Sequence, residues 1–244
     1  MKSGIGITTY FCKDTPSERY DIFIECVKSL IHTTISGPIF IVDDGSTDKS
    51  HLHAIRCLEY EKFIIIEKPI NSGIAKAKNT CIKYILEAGC NVGFLTDDDV
   101  IFNEGWEKAY TDVMTATGIH HMAAWNGWSP HPKSCVKSVN GVSVIQSSEV
   151  NGYFLAFTKE LIQKVGYFKV LPYKYGHEHS NFSVRCVAQK MAPFFCDIVD
   201  SNKYINVNEK SKDIRSIGNI NEREFRINEQ FVFTNSTQYE QCIE

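Results

Sequence analysis

Short apolar runs alternate with segments of helical periodicity through the first hundred residues. Runs rich in Ile, Val and Phe predict four strands, over residues 5–10, 39–42, 63–66 and 92–95. Apolar residues spaced three or four apart predict three intervening helices, over about residues 15–31, 48–60 and 74–87. A Thr-Pro-Ser-Glu capping box predicts that the first helix begins near Thr15. This alternation indicates an α/β fold with a mostly parallel central sheet flanked by helices.

The alternation changes after Trp106. Further strands are predicted over residues 122–125, 142–145, 153–157 and 194–198, and further helices over residues 158–165 and 181–191. Beyond about residue 201 the sequence is polar and charged, with weak periodicity. We therefore expect one domain over residues 1–200, in two halves (1–100 and 101–200), followed by a C-terminal lid, arm or tail over residues 201–244.

Two acidic clusters directly follow predicted strands. Asp43 and Asp44 end the second strand, and three consecutive Asp residues end the fourth. Because ligands of parallel sheets bind beyond the carboxyl ends of the strands, both clusters point to one site. Gly45 would permit a sharp turn after the first cluster, where a carboxylate could accept hydrogen bonds from a base N–H or ribose hydroxyls. The alternative for this cluster is a plain helix-capping turn.

The second cluster consists of Asp97, Asp98 and Asp99. Adjacent carboxylates repel one another unless they are solvated or accompanied by a cation. Hard oxygen ligands with open positions suit Mg²⁺ or Mn²⁺ bridging to a diphosphate. We therefore take Asp98 and Asp99 as candidate metal ligands and Asp97 as a candidate donor-binding residue. The alternative is a solvated acidic turn.

Two further segments carry candidate chemistry. In residues 71–79, Lys78 could reach a diphosphate as a point charge, although Lys76 and Lys78 could equally form a solvated face. In residues 175–185, Glu178 and His179 are both chemically competent bases. A metal pair of His177 and His179 is a third possibility for that segment.

These segments together resemble the family 2 glycosyltransferases, which have the GT-A fold. Residues 41–48 resemble the family signature, and residues 71–79 resemble its Asn-x-Gly-x-x-x-Ala-x-Asn stretch. Residues 95–100 look like the Asp-x-Asp motif of GT-A enzymes, and residues 175–185 look like their acceptor-side helix. The resemblance covers about residues 5–191.

The chain departs from the family pattern at three positions. Lys78 stands where Arg is usual, and Thr96 replaces the first Asp of the usual Leu-Asp-x-Asp-Asp string. His179 stands where family members carry the Asp that deprotonates the acceptor hydroxyl. Either Glu178 or His179 is therefore the expected catalytic base.

The resemblance implies a nucleotide-binding half (1–100) and an acceptor-binding half (101–200) in a single Rossmann-like GT-A domain. The implied nucleotide- or donor-binding residues are Thr8, Tyr10, Asp44, Gly73, Lys78, Asp97, Asn151 and Gly152. Candidate acceptor contacts are Trp125, Trp128 and His177. The two Trp rings could stack on a sugar, although such a pair is more often core plus loop.

Composition restricts the remaining function classes. Hydrophobic residues make up 43% of the 244 residues, enough for a sizeable core, and the formal net charge of −3 gives no broad footprint for nucleic acid. The nine cysteines include no C-x-x-C pair, which favours a reducing compartment. The N-terminus has no signal-peptide pattern, and no apolar run is long enough for a membrane span. A cytoplasmic protein, or one peripheral at a membrane, is expected.

The expected function is metal-dependent transfer of a sugar from a UDP-sugar to an acceptor hydroxyl, in glycan or polysaccharide synthesis. Family members invert the anomeric configuration, so inversion is expected here; the alternative is retention, because the helix with Gly176 and Glu178 also resembles enzymes that retain it. The acceptor would be a glycan, a lipid-linked glycan or a protein, and a homo-oligomer could form through the C-terminal region. One alternative is a sugar nucleotidyltransferase, but the Gly-rich basic loop of that class is absent after the first strand. The other is a degenerate nucleotide-sugar binding module.

Overall fold

The computed structural model describes residues 2–33, 35–125, 135–211 and 222–234. Its first half contains the predicted alternation. The elements are β1 (Ser3–Thr9), α1 (Ser17–His32), β2 (Ile39–Asp43), α2 (Ser50–Cys57), β3 (Phe63–Glu67), α3 (Ile74–Glu87) and β4 (Val92–Asp97). The predicted capping box is wrong, because Pro16 is the N-cap residue of α1. The Thr15 hydroxyl instead accepts a hydrogen bond from the Cys12 amide, 2.8 Å away.

The second half is less regular. Its elements are β5 (Val100–Phe102), α4 (Trp106–Thr117), β6 (His121–Ala123), β7 (Val136–Val139), β8 (Val142–Ser147), β9 (Phe154–Thr158), α5 (Lys159–Val165), α6 (Glu178–Ala188), β10 (Phe195–Ile198), β11 (Ile205–Val207) and α7 (Glu222–Thr234), with a short 3₁₀ helix at Ser201–Lys203. The sequence pattern did not predict α4, α7 or the strands β5, β7 and β11. Helix α6 begins three residues earlier than predicted, so Glu178 and His179 lie in its first turn.

In the described part of the chain, six strands form the central sheet in the order β3-β2-β1-β4-β9-β6. Strands β3, β2, β1 and β4 are parallel, and β9 runs antiparallel to β4 and β6. The register pairs Thr8 with Val42 on one side and with Asp97 on the other. The carboxyl ends of β1, β2 and β4 therefore meet at one edge, which confirms the predicted mostly parallel sheet.

Helices cover both faces of this sheet, and the sheet separates the core into two clusters. Ile5, Ile7 and Phe94 contribute to the cluster on one face, and Leu95 and Phe157 to the cluster on the other. A strand buried on both faces carries few charged side chains, which is why the apolar run of β2 and the Ile- and Thr-rich β1 were recognisable in the sequence.

Helix α3 approaches β1 unusually closely. A Cβ atom on Gly6 would lie 2.3 Å from the Cβ atom of Cys81, so only glycine permits this packing distance. The close contact fixes α3, and with it Lys78 three residues before Cys81, relative to the sheet.

Two smaller sheets complete the fold. Strands β10, β8 and β7 form an antiparallel sheet, and β11 pairs antiparallel with β5. The second pair ties residues 205–207 to the strand that follows the Asp97–Asp99 cluster, and the Asn208 amide donates to the Asp99 carbonyl at 2.8 Å. The first part of the C-terminal region is therefore built into the fold. The cysteines in the described ranges are free thiols. None of the described helices has the length and apolar composition required to cross a membrane.

Candidate active site

The turn after β2 is held by Asp43, whose side chain is fully buried. Its carboxylate accepts hydrogen bonds from the Ser46 hydroxyl and from Lys49, and His51 Nε2 lies 3.6 Å away. Burial opposes ionisation, but the neighbouring His51, Lys49 and Ser46 outweigh it and hold the pKa of Asp43 below its usual value. Asp43 thus anchors the turn from inside and leaves Asp44 to face residues 71–73.

Gly45 allows that turn to press against the next loop. Its φ is +75°, and a Cβ atom would lie 2.2 Å from the Ile70 carbonyl carbon and 2.4 Å from the Asn71 nitrogen. A side chain here would meet both a backbone clash and an unfavourable left-handed conformation. The predicted need for glycine at this position is confirmed by the geometry.

The carboxylate of Asp44 joins the first predicted motif to the second. It accepts hydrogen bonds from the Gly73 amide at 2.8 Å, from the Ser72 hydroxyl at 2.8 Å and from the Ser72 amide at 3.2 Å. Lys68 Nζ lies 3.0 Å from the same carboxylate. Asp44 is therefore already well supplied with donors, and its role in binding a nucleotide base stays a prediction.

The end of β1 lies beside this turn. The Thr8 hydroxyl is buried and has no hydrogen-bond partner among the described residues, whereas Tyr10 is 36% exposed. A buried hydroxyl without a partner is uncommon in folded proteins. The predicted nucleotide contacts of both residues stay predictions.

The acidic cluster after β4 contains an unpredicted partner, Arg19 of α1. Its guanidinium pairs with the Asp98 carboxylate and lies 3.6 Å from that of Asp99, while the Thr9 hydroxyl donates to Asp98 at 2.9 Å. Asp98 raises the pKa of Arg19 against the effect of burial, and Asp99 adds to it. Asp98 and Asp99 are both buried, so a solvated acidic turn is wrong for these two residues. Thr96 is fully buried, with its hydroxyl 3.2 Å from the Tyr153 carbonyl.

The donor set of this cluster suits a hard divalent cation, since Mg²⁺ is commonly held by one or two carboxylates plus substrate phosphates. The described residues contain no group of three or more His, Cys, Asp or Glu side chains arranged to hold a metal by themselves. The side chain of Asp97 is 30% exposed and is the more accessible carboxylate, because Asp98 is 7% exposed and already paired. The residues fit a cation that also takes oxygens from a bound diphosphate.

Lys78 lies at the centre of the site. Its Nζ atom is 3.0 Å from the Gly152 carbonyl oxygen, 3.2 Å from Glu178 Oε1 and 3.6 Å from Asp97 Oδ1. Only 1% of Lys78 is exposed, so the solvated-face alternative is wrong for this residue. Burial alone would lower its pKa, but Asp97 and Glu178 raise it above the usual value and keep the ammonium charged.

Glu178 and His179 lie next to this ammonium. Burial opposes the ionisation of Glu178, but Lys78 and then His179 outweigh it and lower its pKa far below the usual range. His179 Nδ1 is 3.3 Å from Glu178 Oε1, and the His179 side chain is 21% exposed against 7% for Glu178. A Cβ atom on Gly152 would lie 2.6 Å from His179 Nδ1, so glycine leaves the room that the imidazole occupies.

The predicted acceptor residues have different surroundings. The Trp125 amide donates to Asp197 at 2.8 Å, and the Trp125 carbonyl accepts from the Asn151 side chain. His177 has a left-handed backbone with φ +64°, and its ring packs on Phe225 of α7 at a centroid distance of 4.3 Å. Trp128 lies outside the described residues.

Three residues that the sequence pattern did not single out also support the site. They are Arg19, which pairs with Asp98 and Asp99; Lys68, which pairs with Asp44; and Asn228, which binds the loop before α6. Each is a single polar residue whose partner lies far away in the chain. No local periodicity or motif marked them.

Comparisons with known proteins agree with this geometry. Residues 5–118 match the family described as Glycosyl transferase family 2. An uncharacterized glycosyltransferase of Acanthamoeba polyphaga mimivirus, R363, is 36% identical over 225 residues, covering 89% of this chain and 85% of the relative. An N-acetylglucosaminyltransferase of Azorhizobium caulinodans is 36% identical over 94 residues, covering 36% of this chain but only 21% of the relative.

Solved structures show the same fold at low sequence identity. S. aureus TarS (residues 1–349, in complex with UDP-GlcNAc) matches with a TM-score of 0.69 and 16% identity, over 100% of this chain and 68% of the solved fragment of TarS. The mannosyltransferase PcManGT of Pyrobaculum calidifontis, in complex with GDP-Man and Mn²⁺, matches with a TM-score of 0.57 and 16% identity. The match spans 81% of this chain and about half (54%) of PcManGT. The extent of the mimivirus match, together with the family match and the fold, establishes that this chain belongs to the family 2 glycosyltransferases and is a glycosyltransferase of the GT-A fold.

Proposed function

We propose that this enzyme transfers a sugar from a UDP-sugar to an acceptor hydroxyl with inversion at the anomeric carbon, using a divalent cation and His179 as the catalytic base. The observation that carries the proposal is the position of Lys78, whose ammonium contacts Asp97 of the acidic cluster and Glu178 at the start of α6. Three motifs that are distant in sequence thereby meet at the carboxyl edge of the sheet, where α/β folds bind their ligands.

His179 is the better base of the two candidates. Glu178 is buried, and its contact with the Lys78 ammonium holds its pKa far below the usual range, so it accepts a proton poorly. His179 is more exposed and takes the position at which the family carries its base. Since His179 Nδ1 lies 3.3 Å from Glu178 Oε1, the carboxylate can fix the imidazole and leave Nε2 to receive a proton.

In the proposed reaction, the acceptor oxygen attacks the anomeric carbon while the bond to the diphosphate oxygen breaks. The acceptor proton passes to His179 Nε2, and the electron pair of the broken bond stays on the departing diphosphate. Lys78 keeps Glu178 ionised and holds Asp97 at the edge of the sheet. The sequence predicts Asp98 and Asp99 as metal ligands; because Asp99 is only 1% exposed and the Asp97 side chain is 30% exposed, we propose Asp97 and Asp98 instead. A divalent cation held there would supply Lewis-acid neutralisation of the leaving group.

The donor proposal is supported by relatives. The solved TarS complex contains UDP-GlcNAc, and the Azorhizobium relative is an N-acetylglucosaminyltransferase. We therefore take UDP-GlcNAc as the first donor to test and GDP-Man, which is bound in the PcManGT complex, as the rival. We further propose a cytoplasmic role in glycan or polysaccharide synthesis, with a glycan, lipid-linked glycan or protein as acceptor.

The test is nucleotide release from a panel of UDP-sugars and GDP-Man, with and without Mn²⁺ or Mg²⁺. The wild type is compared with Asp98→Ala and with His179→Ala. Metal-dependent UDP release from one sugar nucleotide, lost in both variants, supports the proposal and identifies the donor. Release of GDP alone would replace the UDP assignment. Binding of UDP without turnover of any donor would favour a degenerate binding module instead.

A further inference from the structure

The loop that leads into α6 is held between two parts of the molecule. On one side, the Lys174 carbonyl accepts from the Ile74 amide at 3.2 Å, and Lys174 Nζ donates to the Asn71 carbonyl at 2.9 Å. The Asn71 side chain also donates to the Tyr175 hydroxyl at 3.1 Å. Residues 173–177 therefore lie against the turn whose amides hold Asp44.

On the other side, one residue of α7 binds the same loop through its backbone. Asn228 is fully buried, and its Oδ1 atom accepts from the Tyr173 amide at 3.1 Å. Its Nδ2 atom lies within donating distance of the Tyr175 carbonyl at 2.8 Å, the Gly176 carbonyl at 3.1 Å and the Tyr173 carbonyl at 3.2 Å. A single side chain thus satisfies backbone groups that would otherwise lack partners in an irregular segment.

Phe225, one turn earlier on α7, reinforces the contact. Its ring packs on the His177 imidazole at 4.3 Å, and a Cβ atom on Gly176 would lie 2.7 Å from its Cδ2 atom. Both Gly176 and His177 have positive φ, +95° and +64°, so the chain turns sharply just before α6. A non-glycine residue persists in that conformation only where its surroundings over-determine it.

We propose that α7 positions the catalytic end of α6, with Asn228 and Phe225 as the positioning residues. The strained turn at residues 176–177 sets the direction of the first turn of α6, which carries Glu178 and His179. Without the contacts that Asn228 and Phe225 make with residues 173–177, the turn relaxes. His179 then moves relative to the neighbouring Gly152 backbone. This inference rests on the proposed role of His179 as the base.

A structural measurement tests the contact between Asn228 and the loop before α6 independently of activity. Hydrogen exchange of the 244-residue chain reports on the Tyr173 amide, which donates to Asn228 Oδ1 in the wild type. We expect faster exchange in residues 173–178 of Asn228→Ala, and no change there in Gln230→Ala, which alters an exposed residue of the same helix. Unchanged exchange in Asn228→Ala would overturn the proposal even if the proposed function holds.

Steady-state kinetics then test positioning, with UDP release from UDP-GlcNAc as the turnover readout and UDP affinity as the binding readout. We expect kcat to fall by roughly tenfold to a hundredfold in Asn228→Ala, since small misplacements of catalytic groups have effects of that size. UDP affinity should stay unchanged, because Asp44 keeps its own donors from residues 68, 72 and 73. Phe225→Ala, which leaves Asn228 intact, should lower kcat in the same direction by a smaller factor.

Equal losses of kcat and UDP affinity, or a loss of kcat matched by the fraction of unfolded protein, would assign a merely structural role to α7 and overturn the inference. If wild-type protein binds UDP but turns over no donor in the wider panel, the proposed function fails. The exchange measurement would still decide whether α7 holds the loop.

Discussion

The turn that holds Asp44 and the helix start that carries Glu178 both fix a buried carboxylate, but by different means. Asp44 accepts from backbone and side-chain donors 28 and 29 residues away, all within one short turn. Glu178 depends on an ammonium 100 residues away, and the loop before it depends on Asn228 of α7. The first carboxylate is held by one neighbouring loop, residues 68–73, whereas the second depends on contacts from three separate parts of the chain.

This difference explains why the two regions should respond differently to substitution. Backbone amides hold a carboxylate whatever the neighbouring side chains are, so the Asp44 turn tolerates changes elsewhere in the molecule. A buried ion pair loses its stabilisation as soon as one partner is removed. We therefore expect distant changes to lower activity and stability through the start of α6, while nucleotide binding, which we propose for the Asp44 turn, persists.

The largest expected effect comes from His179→Ala. Removing a general base commonly lowers turnover by about 10²- to 10⁴-fold, and UDP affinity should be unaffected because the Asp44 turn is untouched. Measurement of kcat for UDP release, alongside UDP binding by calorimetry, separates the two quantities. His179→Asp restores the residue type that the family carries and is expected to recover part of the lost turnover. If His179→Ala kept the turnover of the wild type, Glu178 would be assigned as the catalytic base instead.

Lys78→Met should have the next largest effect, on folding. It leaves the buried Glu178 without its ammonium, and breaking a buried pair on one side costs about 3–5 kcal/mol. Urea unfolding at neutral pH measures the loss. The double variant Lys78→Met, Glu178→Gln removes the unpaired charge and should regain most of the stability without regaining turnover. A single variant as stable as wild type would mean that the pair contributes nothing measurable.

Gly45→Ala is the corresponding test of the turn that carries Asp44. The substitution forces a Cβ atom against the Ile70 and Asn71 backbone in addition to the left-handed conformation, so we expect a loss of roughly 2 kcal/mol or more together with weaker UDP binding. Gly118→Ala is the matched control, since Gly118 also has positive φ (+71°) but its Cβ position has nothing within 4 Å. The control should lose only about 1 kcal/mol, the cost of the left-handed conformation, and bind UDP normally. Equal losses of stability and UDP affinity in the two variants would mean that the close contact of Gly45 with the Ile70 and Asn71 backbone has no effect of its own.

What could be predicted from the sequence also differs between local patterns and tertiary contacts. Strand β2 is buried on both faces and reads as a continuous apolar run, β1 is rich in Ile and Thr, and α3 was predicted with its observed limits. Helix α4 was missed although Trp106, Tyr110 and Met114 recur on one buried face at helical spacing. Strands β5 and β11 have only three residues each, too few for a period to show.

Within the site, the local strings were recognisable but their tertiary partners were not. Asp44 and Gly45 belong to one contiguous motif, and the Lys78 segment to another, so their residue types alone indicated chemistry. The pairing of Arg19 with Asp98, and of Asn228 with the loop before α6, depends on how α1 and α7 pack. Neither residue stands out in its own neighbourhood of the sequence.

The smallest expected effect is a pH dependence of stability that arises beside α6. His121 lies beneath α6, where its Nδ1–H donates to the Ala156 carbonyl at 3.0 Å and Nε2 accepts from the Ser183 hydroxyl at 2.7 Å. Burial lowers its pKa to about 4, so the folded state keeps it neutral at pH values where the unfolded chain takes up a proton. Stability should therefore fall as the pH drops from about 6.5 toward 4, by about 2 kcal/mol at pH 5.

Urea unfolding of the wild type and of His121→Gln, between pH 5 and pH 7.5, isolates this contribution. Burial raises the pKa of Asp197, which opposes the effect of His121, but Asp197 is present in both proteins and cancels in the difference. The Gln variant should lose the His121 part of the slope because it has no proton to take up, although it is less stable at neutral pH. Identical slopes in the two proteins would mean that His121 titrates alike folded and unfolded. Any loss of stability in acid would then come from other groups, and the pH dependence of stability would not distinguish the region around α6 from the Asp44 turn.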